Sequence, residues 1–287
     1  MSEKLRLLSI GAHPADIFDQ SGGTMAHHVA RGDWVGCVVL THGARVHDKV
    51  LSDEMFHSDE VPEGEALESL MQERADVKAD EVRRACGILG VEDLHFFGAD
   101  DAVLLVSEAI VRRLARLVRE LKPDVVLTHF PKEGDGQTNP HAVCGQIATA
   151  AMSLAAAVDP GDSQPPHKVA QVFYFGTGAA AVPNSVWDSE GGYYNDVFID
   201  ITDVVKKKLA SLDCLESQGY GGAYARKRIE TSDGAFGLAG GCAYAEGFIK
   251  AKAETHYHLP LTEYALKWAR ASDHEQIAVQ SFKIRTD

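Results

Sequence analysis

Along the first 175 residues, short apolar runs alternate with longer stretches whose apolar positions recur every three or four residues. Residues 5–11 (LRLLSIG), 34–41 (WVGCVVLT), 93–98 (DLHFFG), 124–129 (DVVLTH) and 169–175 read as five strands, short and rich in β-branched or aromatic residues. Residues 20–31, 73–89, 105–121 and 140–157 read as helices. Gly90 closes the second of these and Lys122-Pro123 ends the third, each supplying a helix stop. This alternation predicts an α/β fold, a Rossmann-like and mostly parallel sheet with helices on both faces. Further on, residues 197–201 (VFIDI) read as another strand, and Thr202 as the cap of a helix carrying Val205, Leu209, Leu212 and Leu215 on one side. Residues 158–168 read as a loop. Residues 219–241, with seven glycines, read as a surface loop segment. Residues 42–72 form an acidic insertion after the second strand, where loops of a parallel sheet border the ligand site.

The chain has 287 residues, and 28 Lys and Arg against 42 Asp and Glu give a formal charge of −14. That balance argues against a nucleic-acid partner, whose phosphates call for clustered cations. No apolar run approaches the length of a membrane span, and the N-terminus lacks the apolar stretch of a signal peptide. Five cysteines, odd in number and never in a Cys-x-x-Cys pair, fit reduced thiols in a cytoplasmic protein. No internal repeat or composition break divides the chain. The count that changes the picture is 13 histidines.

Three polar clusters fall at predicted strand ends, where a parallel sheet places its site. They are Gly11-Ala12-His13-Pro14-Ala15-Asp16, Thr41-His42-Gly43-Ala44-Arg45, and Thr128-His129 followed by the segment up to Pro140-His141. His13 and Asp16 lie three residues apart on a turn, within reach of one ion, and His141 at a helix start offers a third ligand. Two histidines and a carboxylate with an open position make the ligand set of a catalytic zinc or a non-haem iron. Zinc would lower the pKa of a bound water to about 7. Each histidine also has a plainer reading: His13 and Asp16 as turn residues, His141 as a helix-start residue. His42 lines the pocket or is a satisfied loop residue, and His129 reads the same way with the added prospect of supporting a ligand. His27 and His28 cannot share a helix face and read as structural. His256 and His258 alternate as in a strand, and a second metal site there is the lesser reading.

The residues quoted above resemble the zinc-dependent LmbE/PIG-L-like deacetylases. The resemblance runs through His13-Pro14-Ala15-Asp16, Gly22-Gly23-Thr24, Leu40-Thr41-His42-Gly43, the helix from Glu81 to Leu89-Gly90, Lys122-Pro123-Asp124-Val125-Val126 and Pro140-His141. It implies a zinc ion held by His13, Asp16 and His141, and a homo-oligomer. The family's His-Pro-Asp-Asp-Glu motif has its general-base Asp where this chain has Ala15, and its Glu where this chain has Ile17. Thr138-Asn139-Pro140-His141 also lacks the first histidine of the family's downstream motif. A His-x-Ala-Asp pattern is similar to that of the 4-oxalomesaconate hydratases, whose later segment also resembles residues 198–204 (FIDITDV). Their acidic residue after the second strand aligns with Ala44.

A replacement base must come within hydrogen-bond reach of the reacting water. Asp135, Glu133, His42 and Asp19 are the candidates, in that order; Asp100 and Asp101 read first as surface acids at a helix start. Arg45 is the candidate for holding a substrate carboxylate through its planar fork, with a solvated surface position as the alternative. Arg226, Lys227 and Arg228 read as solvent-facing unless the glycine-rich segment covers the pocket. With the motifs confined to the first half, residues 1–287 read as one domain, 1–157 as metal-site core and 158–287 as the part that shapes the substrate pocket. The expectation is a zinc-dependent hydrolase of deacetylase or amidase type acting on a small polar metabolite, with neither nucleic acid nor membrane as partner. The alternatives are a zinc-dependent hydratase or lyase of an unsaturated carboxylic acid, and a non-catalytic relative that binds metal or ligand.

Overall fold

The computed structural model describes residues 3–133, 138–176 and 195–284. Strands β1 (Arg6–Gly11), β2 (Trp34–Thr41), β3 (Asp93–Ala99), β4 (Val125–Thr128) and β5 (Gln171–Phe175) are interleaved with helices α1 (Asp16–Arg31), α2 (Lys49–Phe56), α3 (Gly64–Leu89), α4 (Glu108–Leu121) and α5 (Pro140–Ala155). The chain continues through β6 (Val197–Asp200), α6 (Val205–Asp213), α7 (Ala223–Thr231), α8 (Asp233–Gly240), β7 (Ala245–Lys250), α9 (Glu263–Arg270) and α10 (Asp273–Gln280). Among the described residues these strands form one sheet in the order β3-β2-β1-β4-β5-β7-β6. The neighbours from β3 to β5 are parallel, and β7 runs antiparallel to both β5 and β6. The mostly parallel sheet read from the sequence is therefore the observed one.

Alternation along the central strands sends successive side chains to opposite faces. Leu7, Cys37 and Val39 pack with Phe18, Met25, Val82, Leu89 and Leu212 on the side of α1, α3 and α6. Leu8, Ile10, Val38 and Leu40 pack with Leu114, Val118, Ile147 and Ala148 on the side of α4 and α5. Because β1 pairs with β2 on one side and β4 on the other, the connection order reverses between β1 and β4. A crevice opens at such a switch point beyond the C-terminal strand ends.

Several predicted elements differ. Residues 42–72 are not simply an inserted loop: α2 lies within them, capped by the Asp48 carboxylate, which accepts the Leu51 N–H at 2.9 Å. Helix α3 starts at Gly64, nine residues before the predicted start. The segment 219–241 holds α7 and α8 instead of loop. Its glycines serve packing: a Cβ on Gly237 would lie 2.3 Å from the Ala243 carbonyl oxygen. Thr202 does not cap α6; its hydroxyl accepts the Tyr244 N–H at 3.2 Å. Strand β7 and helices α9 and α10 are additions to the predicted set, and the segment holding His256 and His258 is not a strand. Those two side chains are exposed and belong to none of the candidate ligand groups among the described residues.

One charged cluster ties α1 to the second half of the chain. The Lys208 ammonium is fully buried, 2.8 Å from Asp233 Oδ2 and 2.9 Å from Glu246 Oε1, and donates to the Asp19 carbonyl at 2.7 Å. Glu246 in turn accepts the backbone N–H groups of Gly23 and Thr24 at 2.8 and 2.7 Å. The Asp19 carbonyl and the Gly23 N–H, which face each other in an α-helix, are thus both engaged by the Lys208–Glu246 pair. Burial lifts the Asp233 carboxyl to about 7 against the opposing pull of Lys208. Removing one member of a buried ionic cluster strands the others without compensation, at a cost of about 3–5 kcal/mol. Lys208→Met is expected to lose that much stability in urea unfolding. Adding Asp233→Asn and Glu246→Gln to it should restore part of the loss, because no charge is then left unpaired.

Candidate metal centre

The turn after β1 carries His13, and α1 begins at Asp16, so the spacing between them is one helical approach turn. The Asp16 carboxylate folds back to accept the His13 N–H at 2.6 Å. Its position at the start of α1 also suits a negative charge, since the unpaired N–H groups of a helix start face it. Asp16 Oδ2 lies 3.2 Å from His13 Nδ1 and accepts from His129 Nε2 at 3.0 Å, while Oδ1 lies 3.6 Å from His141 Nε2. Three histidines from three segments thus surround one carboxylate at the switch point.

Burial alone would raise the Asp16 pKa. The His141, His13 and His129 side chains overcome that and hold it well below the ordinary carboxylate range. Burial lowers the His13 pKa despite the nearby Asp16 charge. His141 behaves oppositely: burial opposes its charge, but Asp16 and Glu133 outweigh that and hold it up to about 10. Glu133, whose Oε1 accepts from His141 Nδ1 at 2.9 Å, is drawn down to about 2 against its own burial by His129 and His141.

His13, Asp16 and His141 each offer a ligand atom, all within 4.8 Å of one another. His13 Nδ1 faces Asp16, but its Nε2 is buried without a hydrogen-bond partner, which is unusual for a buried polar atom and calls for an occupant. With Nδ1 of His141 on Glu133, its Nε2 faces Asp16 and remains for a metal, the carboxylate–histidine–metal arrangement that orients a ligand. His129 stacks on His141 with ring centroids 4.3 Å apart and holds Asp16. His129, Glu133 and His141 form a second group of donors within 4.8 Å. In that group His129 is already committed to Asp16, so the first set fits an ion better.

The other sequence candidates are distributed around this centre. Ala15 is buried, and its methyl group sits in the apolar cluster beside α1 with no acid or base function. His42 Nδ1 lies 3.0 Å from the Ala44 N–H and 3.3 Å from Asp101 Oδ1, so this ring is tied to its own loop and to Asp101. Arg45 points its fork to the rim, where Nη1 meets Asp100 Oδ2 at 2.5 Å. Asp135 lies outside the described residues. Asp19 is occupied by Arg228, which is half-buried and not one of a solvent-facing run.

His47 and Asp101 were not singled out as a pair by sequence reasoning. Asp101 is buried, not a surface acid, and accepts the N–H groups of Arg45, Val46 and His47 at 3.0, 2.7 and 3.1 Å. These hydrogen bonds and that of His47 overcome burial and depress its pKa strongly. His47 Nδ1 lies 3.2 Å from Asp101 Oδ2, and the His47 ring is 3.8 Å from the His13 ring, centroid to centroid. The signal available in the sequence was positional: Asp101 follows the third predicted strand, at the same sheet edge as the other three clusters.

Comparison with known proteins identifies the family and the fold. The family model described as GlcNAc-PI de-N-acetylase, PIG-L, matches residues 8–152. A 1D-myo-inositol 2-acetamido-2-deoxy-alpha-D-glucopyranoside deacetylase 2 of Catenulispora acidiphila is 30% identical over 195 residues, 60% of this chain and 60% of that protein. A 4-oxalmesaconate hydratase of Pseudomonas putida is 27% identical over 214 residues, 74% of this chain and 73% of that protein. The chain therefore spans about 60% of the length of the deacetylase relative. Among solved structures, GalB, the 4-carboxy-2-hydroxymuconate hydratase from Pseudomonas putida, superposes with a TM-score of 0.65 at 23% identity, covering 89% of this chain and all of that one. The N,N′-diacetylchitobiose deacetylase from Pyrococcus horikoshii superposes with a TM-score of 0.67 at 19% identity, covering 86% and 84%. At these identities the two structures establish the fold. With the family model matched across half its length, through both the His13–Asp16 turn and His141, the chain belongs to the PIG-L de-N-acetylase family.

Proposed function

We propose that this chain is a zinc-dependent hydrolase of carbon–nitrogen bonds, removing an acyl group from the nitrogen of a small polar metabolite. The observation that carries this reading is the convergence of His13, Asp16 and His141 at the switch point, with His13 Nε2 buried and without a hydrogen-bond partner. Membership of a de-N-acetylase family and the deacetylase relatives support the reaction class. When bound by two histidines and a carboxylate, zinc lowers the pKa of water and polarises a carbonyl oxygen.

The chain's own residues must then move protons, since hydrolysis takes one from water and gives one to the departing amine. Ala15 cannot do this. The His47–Asp101 pair has the required form: an acceptor-only carboxylate on Nδ1 fixes the proton there and leaves Nε2 free to take another. Asp101 is itself immobilised by three backbone N–H groups, so the imidazole it orients is preorganised. Glu133 and His129 are committed to holding His141 and Asp16, which makes them positioning residues.

A second reading, hydration of a carbon–carbon double bond in an unsaturated carboxylic acid, is favoured by Ala15. The hydratase relative from Pseudomonas putida also aligns over almost three quarters of this chain. One assay separates the two. Zinc-loaded protein is given a panel of N-acetylated amino sugars, with release of free amine measured, and conjugated dienoic acids, with loss of ultraviolet absorbance measured. Amine release is expected, falling about 10²–10⁴-fold in His47→Gln and less in Asp101→Asn, which keeps the histidine but misorients it. Absorbance loss without amine release would overturn the hydrolase reading in favour of hydration, and inactivity in both arms would remove both.

The ligand assignment has its own test. Calorimetric titration of chelator-treated protein with zinc should show one site, lost in Asp16→Asn and His141→Ala. Glu133→Gln should weaken the affinity about 10–100-fold. Because His141 must release its proton to bind an ion, affinity should fall as the pH is lowered. Wild-type affinity in Asp16→Asn or His141→Ala would refute the assignment.

A further inference from the structure

Arg228 lies on α7, far along the chain from the metal-site motifs, yet the fold carries it to their border. Its Nη2 donates to Asp19 Oδ2 on α1. Asp19 stands three residues after Asp16, and positions three apart lie on one face of a helix. The guanidinium therefore sits one turn from the carboxylate on which His13, His129 and His141 converge. The segment leading to α7 borders the same crevice from a second direction. Ser217 Oγ accepts from Lys78 Nζ at 2.8 Å, and the same ammonium donates to the His47 carbonyl at 2.9 Å. The chain then turns at Gly219 and Gly222, with φ +77° and +67°, and brings Tyr220 and Tyr224 alongside Arg228. The two rings meet edge to face at 5.3 Å.

The hydrogen-bonding capacity of this group is largely unspent. Asp19 takes one guanidinium nitrogen, while Nε is shielded from water and has no hydrogen-bond partner among the described residues. A buried donor without an acceptor is rare and points to something that supplies one. The Arg228 side chain keeps 17% of its surface open, so an incoming group can reach it. Neither the Tyr220 nor the Tyr224 hydroxyl has a hydrogen-bond partner among the described residues. Burial, then the charges of Asp19 and Asp16, push the Tyr220 pKa up against the pull of Arg228, so its hydroxyl stays a donor. A guanidinium fork beside two protonated phenols is a donor-rich set, and its complement is a carboxylate. An ammonium group would meet repulsion from Arg228. Arg45, the arginine that the sequence offers for this task, is turned to the rim and meets Asp100 instead.

We propose that Arg228 is a specificity-determining residue of the metal-centre crevice, where it anchors a carboxylate of the substrate with help from the Tyr220 hydroxyl. The proposal rests on the reading of that crevice as a substrate site, and it narrows the small polar metabolite to one that carries a carboxylate. It concerns binding and holds whichever reaction follows.

The probes are N-acetylated straight-chain ω-amino acids, from glycine to 6-aminohexanoate, each paired with its own primary amide so that only the carboxylate differs. Dissociation constants are measured calorimetrically on the zinc-loaded full chain. At least one acid should bind about ten- to a hundredfold tighter than its amide, the increment of a hydrogen bond to a charged group. Arg228→Lys should keep part of this preference. Arg228→Met alone leaves the Asp19 carboxylate unpaired, so the decisive variant combines it with Asp19→Asn and removes both charges. If Arg228 served only to neutralise Asp19, that variant would bind like wild type. The expected result is loss of the acid-over-amide preference, with thermal unfolding and zinc affinity close to wild type. Equal binding of acid and amide throughout the series, or no binding of any acid, would overturn the proposal. So would a preference that survives in the double variant, which would assign the carboxylate to the ion. Amine release from the same compounds is read separately: its absence beside an Arg228-dependent preference would support this proposal while going against the hydrolase reading.

Discussion

The Asp16 carboxylate is the group on which the site depends. It is buried, and a buried carboxylate is tolerated only when charge and hydrogen bonds meet it from several directions. Here they come from the turn after β1, from the end of β4 and from the start of α5, so the ionisation of one residue requires three segments to be in place. The parallel sheet makes this convergence possible, because β1 and β4 are neighbours and both end at the switch point. What keeps α1 in register with them is the Lys208–Glu246 pair on its far side. The C-terminal half thus contributes to the candidate metal site mechanically, by fixing the helix that presents Asp16.

The loop after β2 is held with similar economy. Gly43 adopts φ +68°, and a Cβ there would lie 2.8 Å from Pro14 Cδ, so only glycine lets the loop pass this close to the His13 turn. The loop is then closed from two ends. Asp101 binds three consecutive backbone N–H groups at Arg45–His47, and Asp48 receives Arg74 at 2.8 and 3.0 Å with Lys78 nearby at 3.6 Å. Lys78 donates to the His47 carbonyl and to Ser217 Oγ, which ties the same loop to the C-terminal half. Part of the acidic surplus of this chain is therefore structural and buried, not a solvated face. Net charge says little about a site when the decisive carboxylates are inside.

What could be read from the sequence follows from which interactions are local. Strands β1, β2 and β4 are short apolar runs buried on both faces, and the His13-Pro14-Ala15-Asp16 turn announces itself over four residues. His141 was legible because it opens a helix after a proline. Strand β7 was not, because its AEGFIK sequence includes an acid and a glycine; only the position of Lys208 makes a buried Glu246 acceptable. The glycines of 219–241 looked like loop because close approach to Ala243 and Phe198 is invisible without the neighbouring strands. The His47–Asp101 pair is separated by 54 residues, and its two members meet only because β2 and β3 are adjacent in the sheet. Arg228 was hidden in a run of three basic residues that a helix then splits between faces.

The exchange at position 15 can be understood in these terms. A carboxylate there would occupy the approach turn itself, one residue from Asp16, and two neighbouring carboxylates compete for the same positive surroundings. With alanine, the methyl group joins the apolar cluster under α1 and Asp16 keeps its histidines to itself. A histidine does remain beside this turn, because His47 brings its ring to 3.8 Å from that of His13, centroid to centroid, from the adjacent strand end. It also sits on a loop anchored through Asp101, Asp48 and Lys78, so its placement is as well determined as that of a residue on the turn. On the proposed function, the departure from the family motif leaves His47 at the neighbouring strand end as the group that would carry protons, on a different segment of the same sheet edge from the turn that would hold the ion.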